Sequence, residues 1–279
     1  MINKKEAKEL FIKITNINVK SIEEIFSGFS NQNFLINDAY VLRVPLENKD
    51  ESINYNDEAD IYNAISVLNY VEKIVYYSTD TGVKISKFIH GSKSYKDTPS
   101  DYEIISVAKL LKKFHKAKIN VSAKYDMFSR LKLYKQNIKD DELLNQDYEN
   151  IVIKNVKNCF NKEDMCLCHN DLVKGNILFT YSKTYFIDWE YAGMNNPLFD
   201  IASFISENNL NENQKELFLK TYFGYKLSSL NKKRISNFIE FLDILFYYWG
   251  LYLFNKRHLE IYKIISNEKL EHIKNNMNS

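Results

Sequence analysis

The alternation of apolar and polar positions changes character about a third of the way along the chain. Residues 4–14 carry apolar side chains at helical spacing, and residues 21–26 then lead into a small polar loop, Ser27-Gly28-Phe29-Ser30-Asn31-Gln32. Two short apolar runs, 33–36 and 40–44, flank the turn signal Asn37-Asp38 and predict a β-hairpin. Ile61, Ala64, Ile65 and Leu68 share one face of a helix predicted over 57–68. Runs at 71–77 and 83–89 around Asp80-Thr81-Gly82 predict a second hairpin. From Asp101 the pattern is helical, with Ile105, Ala108, Leu111 and Phe114 on one side and lysines largely on the other. A further helical stretch is predicted over 128–160, short strands at 165–168, 177–179 and 185–187, and helices from Pro197 onward. The boundary this pattern suggests separates a β-rich part, residues 1–89, from a helical part, residues 90–279.

Composition narrows the classes. With 279 residues, 45% of them hydrophobic and 27% charged, the chain has enough apolar surface for a core and lacks the signature of disorder. The 38 Lys and Arg nearly balance 36 Asp and Glu, so there is no electrostatic case for a nucleic-acid partner. The charged start has no apolar signal region, which points to the cytoplasm. The most apolar run, 238–254, contains Glu240 and Asp243 and is too short for a membrane span, so it reads as a buried helix. Cys159, Cys166 and Cys168 form no C-x-x-C pair, which suits a reducing compartment and gives no zinc signature.

The segment from Cys166 to Phe179 concentrates the chemistry. Asp171, on a short polar loop, is a carboxylate able to accept a hydroxyl proton. Asn176 and Asp188, on either side of the apolar runs that follow, are oxygen donors suited to a hard cation bound to phosphate. Phosphoryl transfer to an alcohol requires a proton acceptor, metal ligands and cations over the phosphates, since catalysis there is mostly positioning and charge neutralisation, and this stretch offers the first two.

His169-Asn170-Asp171 with Asn176, followed by Ile187-Asp188-Trp189-Glu190-Tyr191, resembles the catalytic segments of the choline kinase and aminoglycoside phosphotransferase superfamily, relatives of protein kinases. The resemblance covers most of the chain. It implies an α+β, two-lobed protein-kinase-like fold with a small β-rich N-terminal lobe that binds nucleotide and a larger helical C-terminal lobe. By the same resemblance Asp171 is the catalytic base, Asn176 and Asp188 hold Mg²⁺, and Arg43 takes the place of the phosphate-binding lysine. Ser27, Gly28, Asn31 and Asn33 belong to the phosphate-covering loop, and Phe88 and Ile89 to the hinge that meets the adenine of ATP. Glu58 is the candidate partner of Arg43, with Asp57 and Glu51 as rivals. The absence of a protein-kinase A-P-E segment and the Trp189-Glu190 pair after Asp188 imply a small acceptor.

Within the superfamily the run from Asp188 to Ala202 is similar to bacterial choline kinases. By that similarity Glu190, Tyr191, Glu207, Phe246 and Trp249 line the acceptor site. A quaternary ammonium has no N–H to donate and is best held by aromatic faces beside a carboxylate. Phe246 and Trp249 also read as ordinary core on an apolar helix. Choline is thus the implied acceptor, with ethanolamine, thiamine or an aminoglycoside as alternatives, and a catalytically silent kinase-like binding protein as the alternative of a different class. The assembly is left open, a homodimer included.

Overall fold

The computed structural model describes residues 1–25, 29–96, 98–136, 138–139, 142–160 and 165–277. The chain divides into two compact units, one of Met1–Pro99 with Val173–Ala192 and one of Ser100–Leu172 with Gly193–Ser279. The hairpin of residues 173–192 folds with the N-terminal part because its strands continue a small sheet begun there.

In the first unit, helix α1 (Lys4–Thr15) begins at an Asn3–Glu6 capping box and ends where Asn16 turns left-handed at φ 57°. Strands β1 (Ile22–Ile25), β2 (Asn31–Ile36), β3 (Tyr40–Pro45), β4 (Ile74–Tyr77) and β5 (Lys84–Lys87) form an antiparallel sheet in the order β1-β2-β3-β5-β4. Phe34, Ile36, Leu42 and Ile85 bury one face of it against Ala7 and Phe11 of α1. Because strand side chains alternate, Arg43 and Lys84, next to Leu42 and Ile85, are turned to the opposite face, and the register pairs them directly. Helix α2 (Tyr55–Ile65), capped by Asn54, supplies Glu58, Ile61 and Tyr62 as buried residues. Strand β6 (Lys93–Ser94) pairs with β8 (Ile177–Phe179), which pairs with β9 (Thr184–Phe186).

In the second unit, α3 (Asp101–His115) starts at a Ser100–Glu103 capping box. The helical stretch predicted over 128–160 holds two helices, α4 (Met127–Lys135) and α5 (Gln146–Lys157), the second starting where Asn145 accepts the Tyr148 N–H. Strand β7 (Cys166–Cys168) pairs with β10 (Gly193–Asn195). Helices α6 (Pro197–Glu207), α7 (Glu212–Phe223), α8 (Ser229–Arg257) and α9 (Glu260–Met277) follow. Helix α8 is the central one, burying Phe238, Phe241, Leu245, Tyr248 and Tyr252 among others. Helix α9 lies so close to it that a Cβ on Gly250 would meet the Tyr262 carbonyl at 2.7 Å. No helix among the described residues is long and apolar enough to cross a membrane.

Candidate active site

Two buried cations facing each other across β3 and β5 would repel, and the first unit surrounds them with acids. Arg43 is 1% exposed. Its Nη2 lies 2.7 Å from Glu58 Oε1, and its Nη1 donates to Asp188 Oδ1 at 2.7 Å. Glu58 is therefore the partner among the three acids weighed, and Tyr77 Oη donates to it at 2.6 Å. Lys84, not singled out from the sequence, donates to Glu72 Oε1 at 2.8 Å and lies 3.6 Å from Asp188 Oδ1. Burial opposes the charge of Arg43, yet Glu58 and then Asp188 outweigh it and raise its pKa well above the ordinary value. Burial likewise opposes ionisation of Glu72, but Lys84 holds its pKa below the usual carboxylate range.

Asn176 and Asp188 are brought together by the β8–β9 hairpin. Ile177 is paired with Phe186, and the Ile187 N–H donates to the Asn176 carbonyl at 3.0 Å, so the two candidate metal ligands flank the open end of the hairpin. Asp188 is left-handed at φ 63°, a conformation Asp tolerates better than most residues, and its N–H donates to Glu72 Oε1 at 3.0 Å. Glu190, expected beside the acceptor, belongs to this same cluster: Asn31 Nδ2 donates to it at 3.1 Å, and Arg43 Nη1 is 3.7 Å away. Burial, then the charge of Asp188, pushes the Glu190 pKa up to about 8, with Arg43 pulling the other way. Four carboxylates thus gather around two cations, all through hard oxygen donors. That excess of negative charge and the Asp188–Asn176 donor pair fit a divalent hard cation such as Mg²⁺.

Asn33 is buried on β2 opposite Arg43. Ser27 and Gly28 lie outside the described residues. Of the two residues expected at a hinge, the Phe88 N–H donates to the Ala39 carbonyl at 2.9 Å, and the Ile89 carbonyl accepts from the Ser92 N–H at 3.3 Å. Tyr191 is buried, and its hydroxyl donates to Asp50 Oδ2 at 3.2 Å.

In the second unit the loop carrying Asp171 is held from below by Asp200 on α6. The Asp200 carboxylate accepts the His169 N–H at 2.8 Å and the Asn170 N–H at 2.6 Å. Asn170 is left-handed at φ 63°, and Asn195 Nδ2 donates to its side-chain oxygen at 2.8 Å. The residues just before Asp171 are fixed in this way, while Asp171 itself stays half-buried. His115 Nε2 meets Asp200 Oδ2 at 2.9 Å.

Glu207, Phe246 and Trp249 also lie in the second unit. Phe246 and Trp249 are half-buried, edge to face at 6.3 Å, and Trp249 meets Tyr262 at 5.6 Å. Lys269 of α9 reaches Glu207 Oε1 at 2.6 Å and Asp243 Oδ1 at 3.4 Å, with its ammonium 5.7 Å from the centre of the Phe246 ring. Sequence reading had no means to find Lys269, since nothing in the spacing links the last helix to α6.

Residues 22–243 match the choline/ethanolamine kinase family. The chain belongs to that family. Protein LicA of Haemophilus influenzae is 29% identical over 208 residues, covering 70% of this chain and 60% of that protein. The chain thus spans less than two thirds of that relative's length. Choline kinase LicA from Streptococcus pneumoniae, at 19% identity, superposes with a TM-score of 0.82 over 98% of this chain and 99% of that one. The aminoglycoside phosphotransferase APH(2")-IIIa, in its GDP and kanamycin complex, is 15% identical, with a TM-score of 0.74 and 99% of each chain covered. The α+β protein-kinase-like fold is shared with both groups.

Proposed function

We propose that the chain transfers the γ-phosphate of ATP to the hydroxyl of choline, giving phosphocholine and ADP. The observation that carries the reading is the placing of Asp188 and Asn176 side by side at the end of one hairpin, with Asp188 gripped by a buried arginine that is itself locked to Glu58. An aspartate and a carboxamide in this setting suit a magnesium ion, which when bound neutralises phosphate charge and orients the nucleotide. Arg43 then serves both as anchor for Asp188 and as a cation for phosphate oxygens, and Lys84 stands beside it as a second. Asp171 is assigned the hydroxyl proton of the acceptor, with Asp200 keeping its loop in register. Phe246 and Trp249 are assigned the methyl-bearing ammonium.

Release of ADP in a coupled assay with choline, ethanolamine, thiamine and kanamycin tests the reading. We expect choline to give the highest kcat/KM. Turnover with kanamycin or thiamine but not choline would remove the acceptor assignment and leave the phosphotransferase. No release above the ATPase background with any acceptor would point to a silent binding protein.

A further inference from the structure

The absence of a C-x-x-C pair hides a different arrangement of soft ligands. Cys166 and Cys168 are alternate residues of β7, so both thiols leave the same side of the strand. Their sulfurs lie 3.7 Å apart. A tetrahedral zinc ion with Zn–S bonds of about 2.3 Å holds its sulfurs about 3.8 Å apart, so the pair already has the spacing of one edge of such a site. The imidazole of His115, from the last turn of α3, completes a triad whose ligand atoms all lie within 4.8 Å of one another.

We propose that Cys166, Cys168 and His115 form a site for a thiophilic cation of the Zn²⁺ class. The surroundings of His115 match what a metal-bound histidine needs. One ring nitrogen, Nε2, is 2.9 Å from the buried Asp200 carboxylate, the backing that fixes a ligating imidazole and raises its basicity. The other, Nδ1, meets the Tyr222 hydroxyl at 2.7 Å. A metal that takes Nδ1 displaces only that hydroxyl and leaves the carboxylate–histidine pair whole. Cys168 is buried and Cys166 half-buried, so Cys166 is the ligand through which an ion enters. The thiols must shed their protons to act as ligands, so binding releases protons. Its soft ligand set differs in kind from the hard oxygen donors Asp188 and Asn176 and selects against Mg²⁺. It leans on Asp200, the carboxylate that holds the backbone of His169 and Asn170.

The test uses the full reduced chain, titrated with Cd²⁺ as a spectroscopic probe and with Zn²⁺ in competition. A thiolate-to-metal absorption saturating at about one equivalent, displaced by Zn²⁺, is expected. Affinity should rise at least about tenfold per pH unit near neutrality, because a thiol proton is released on binding. Cys166→Ser should weaken binding by about a hundredfold or more, and Cys159→Ser should leave it unchanged. Tyr222→Phe, which clears Nδ1, should tighten it. Absence of the absorption, its survival in Cys166→Ser, its loss in Cys159→Ser, or binding no tighter in Tyr222→Phe would each overturn the assignment.

Discussion

Lys269 and Glu207 form a buried ion pair, Nζ to Oε1 at 2.6 Å, with the lysine side chain 5% exposed. Burial opposes the lysine charge, yet Glu207 and then Asp243 outweigh it and raise its pKa above the ordinary value. The acid assigned to a substrate ammonium therefore already holds an internal one, close to the ring of Phe246. A choline ammonium entering there either displaces this lysine or relies on the aromatic faces beside it.

Replacing Lys269 by Met separates these cases. Glu207 and Asp243 lose their cation, and breaking such a pair costs about 3 to 5 kcal/mol, so the melting temperature should fall by several degrees. If the ammonium subsite is the one proposed, tetramethylammonium should restore part of that loss in Lys269→Met and do little to the parent chain. The KM for choline should also fall, because Glu207 becomes available. A melting temperature that tetramethylammonium leaves unmoved in the variant would place the ammonium elsewhere.

Asp171→Asn keeps the shape of the side chain but not its ability to take a proton. Turnover should drop by about a hundredfold or more, the usual contribution of a general base. Since Asp200 secures the preceding backbone independently of Asp171, the melting temperature should stay within about a degree of the parent. Retention of more than about a tenth of the activity would remove Asp171 from the role of base.

The parts of the site legible in the sequence were those carried by short contiguous runs. Asp171, Asn176 and Asp188 stand within one stretch, and the hairpin between the last two follows from apolar runs around a turn. Arg43 and Glu58 were singled out through the family resemblance, which matched the strand and the helix that carry them. Lys84, Glu72 and Tyr62 were not, because their significance is the cross-strand pairing of Arg43 with Lys84, a register that spacing does not reveal. Glu190 was placed with the acceptor because it follows Asp188 in a matched run, whereas its side chain turns toward Asn31 and Arg43. Strands β6 and β10 escaped because Lys93-Ser94 and Gly193-Met194-Asn195 carry no apolar run, unlike the similarly short β7, β8 and β9. Asp200 lies within a matched run, but its service to the His169 and Asn170 amides is visible only once α6 is in place.

Arg43→Lys probes the bridge between Glu58 and Asp188. The arginine reaches Glu58 through Nη2 and Asp188 through Nη1, a fork that an ammonium cannot copy. The variant should fold, since its charge remains, but Asp188 should lose its anchor and the KM for nucleotide should rise by about tenfold or more, a loss of about 1.4 kcal/mol in binding. Asp188→Ala should go further and remove the Mg²⁺ dependence of ATP binding in calorimetric titration. Unchanged metal dependence in Asp188→Ala would take the ligand role from that residue.

Trp249 and Phe246 give the last and most selective prediction. Choline and ethanolamine share a hydroxyl and a charge, so a base and a metal treat them alike, and only the ammonium end can tell them apart. Three methyl groups favour aromatic faces, whereas an N–H needs an acceptor, and the acid assigned here, Glu207, is held by Lys269. Trp249→Ala removes a half-buried ring from the pair, and with it the Trp249 contact with Tyr262, while leaving Phe246 and Glu207 in place. A cation–π contact contributes about 0.5 to 2 kcal/mol, so the KM for choline should rise by about 2- to 30-fold with kcat little changed. The KM for ethanolamine should move less, narrowing the preference between the two. An equal rise for both substrates would show that Trp249 shapes the site without reading the methyl groups, and no rise for either would return it to the core of α8.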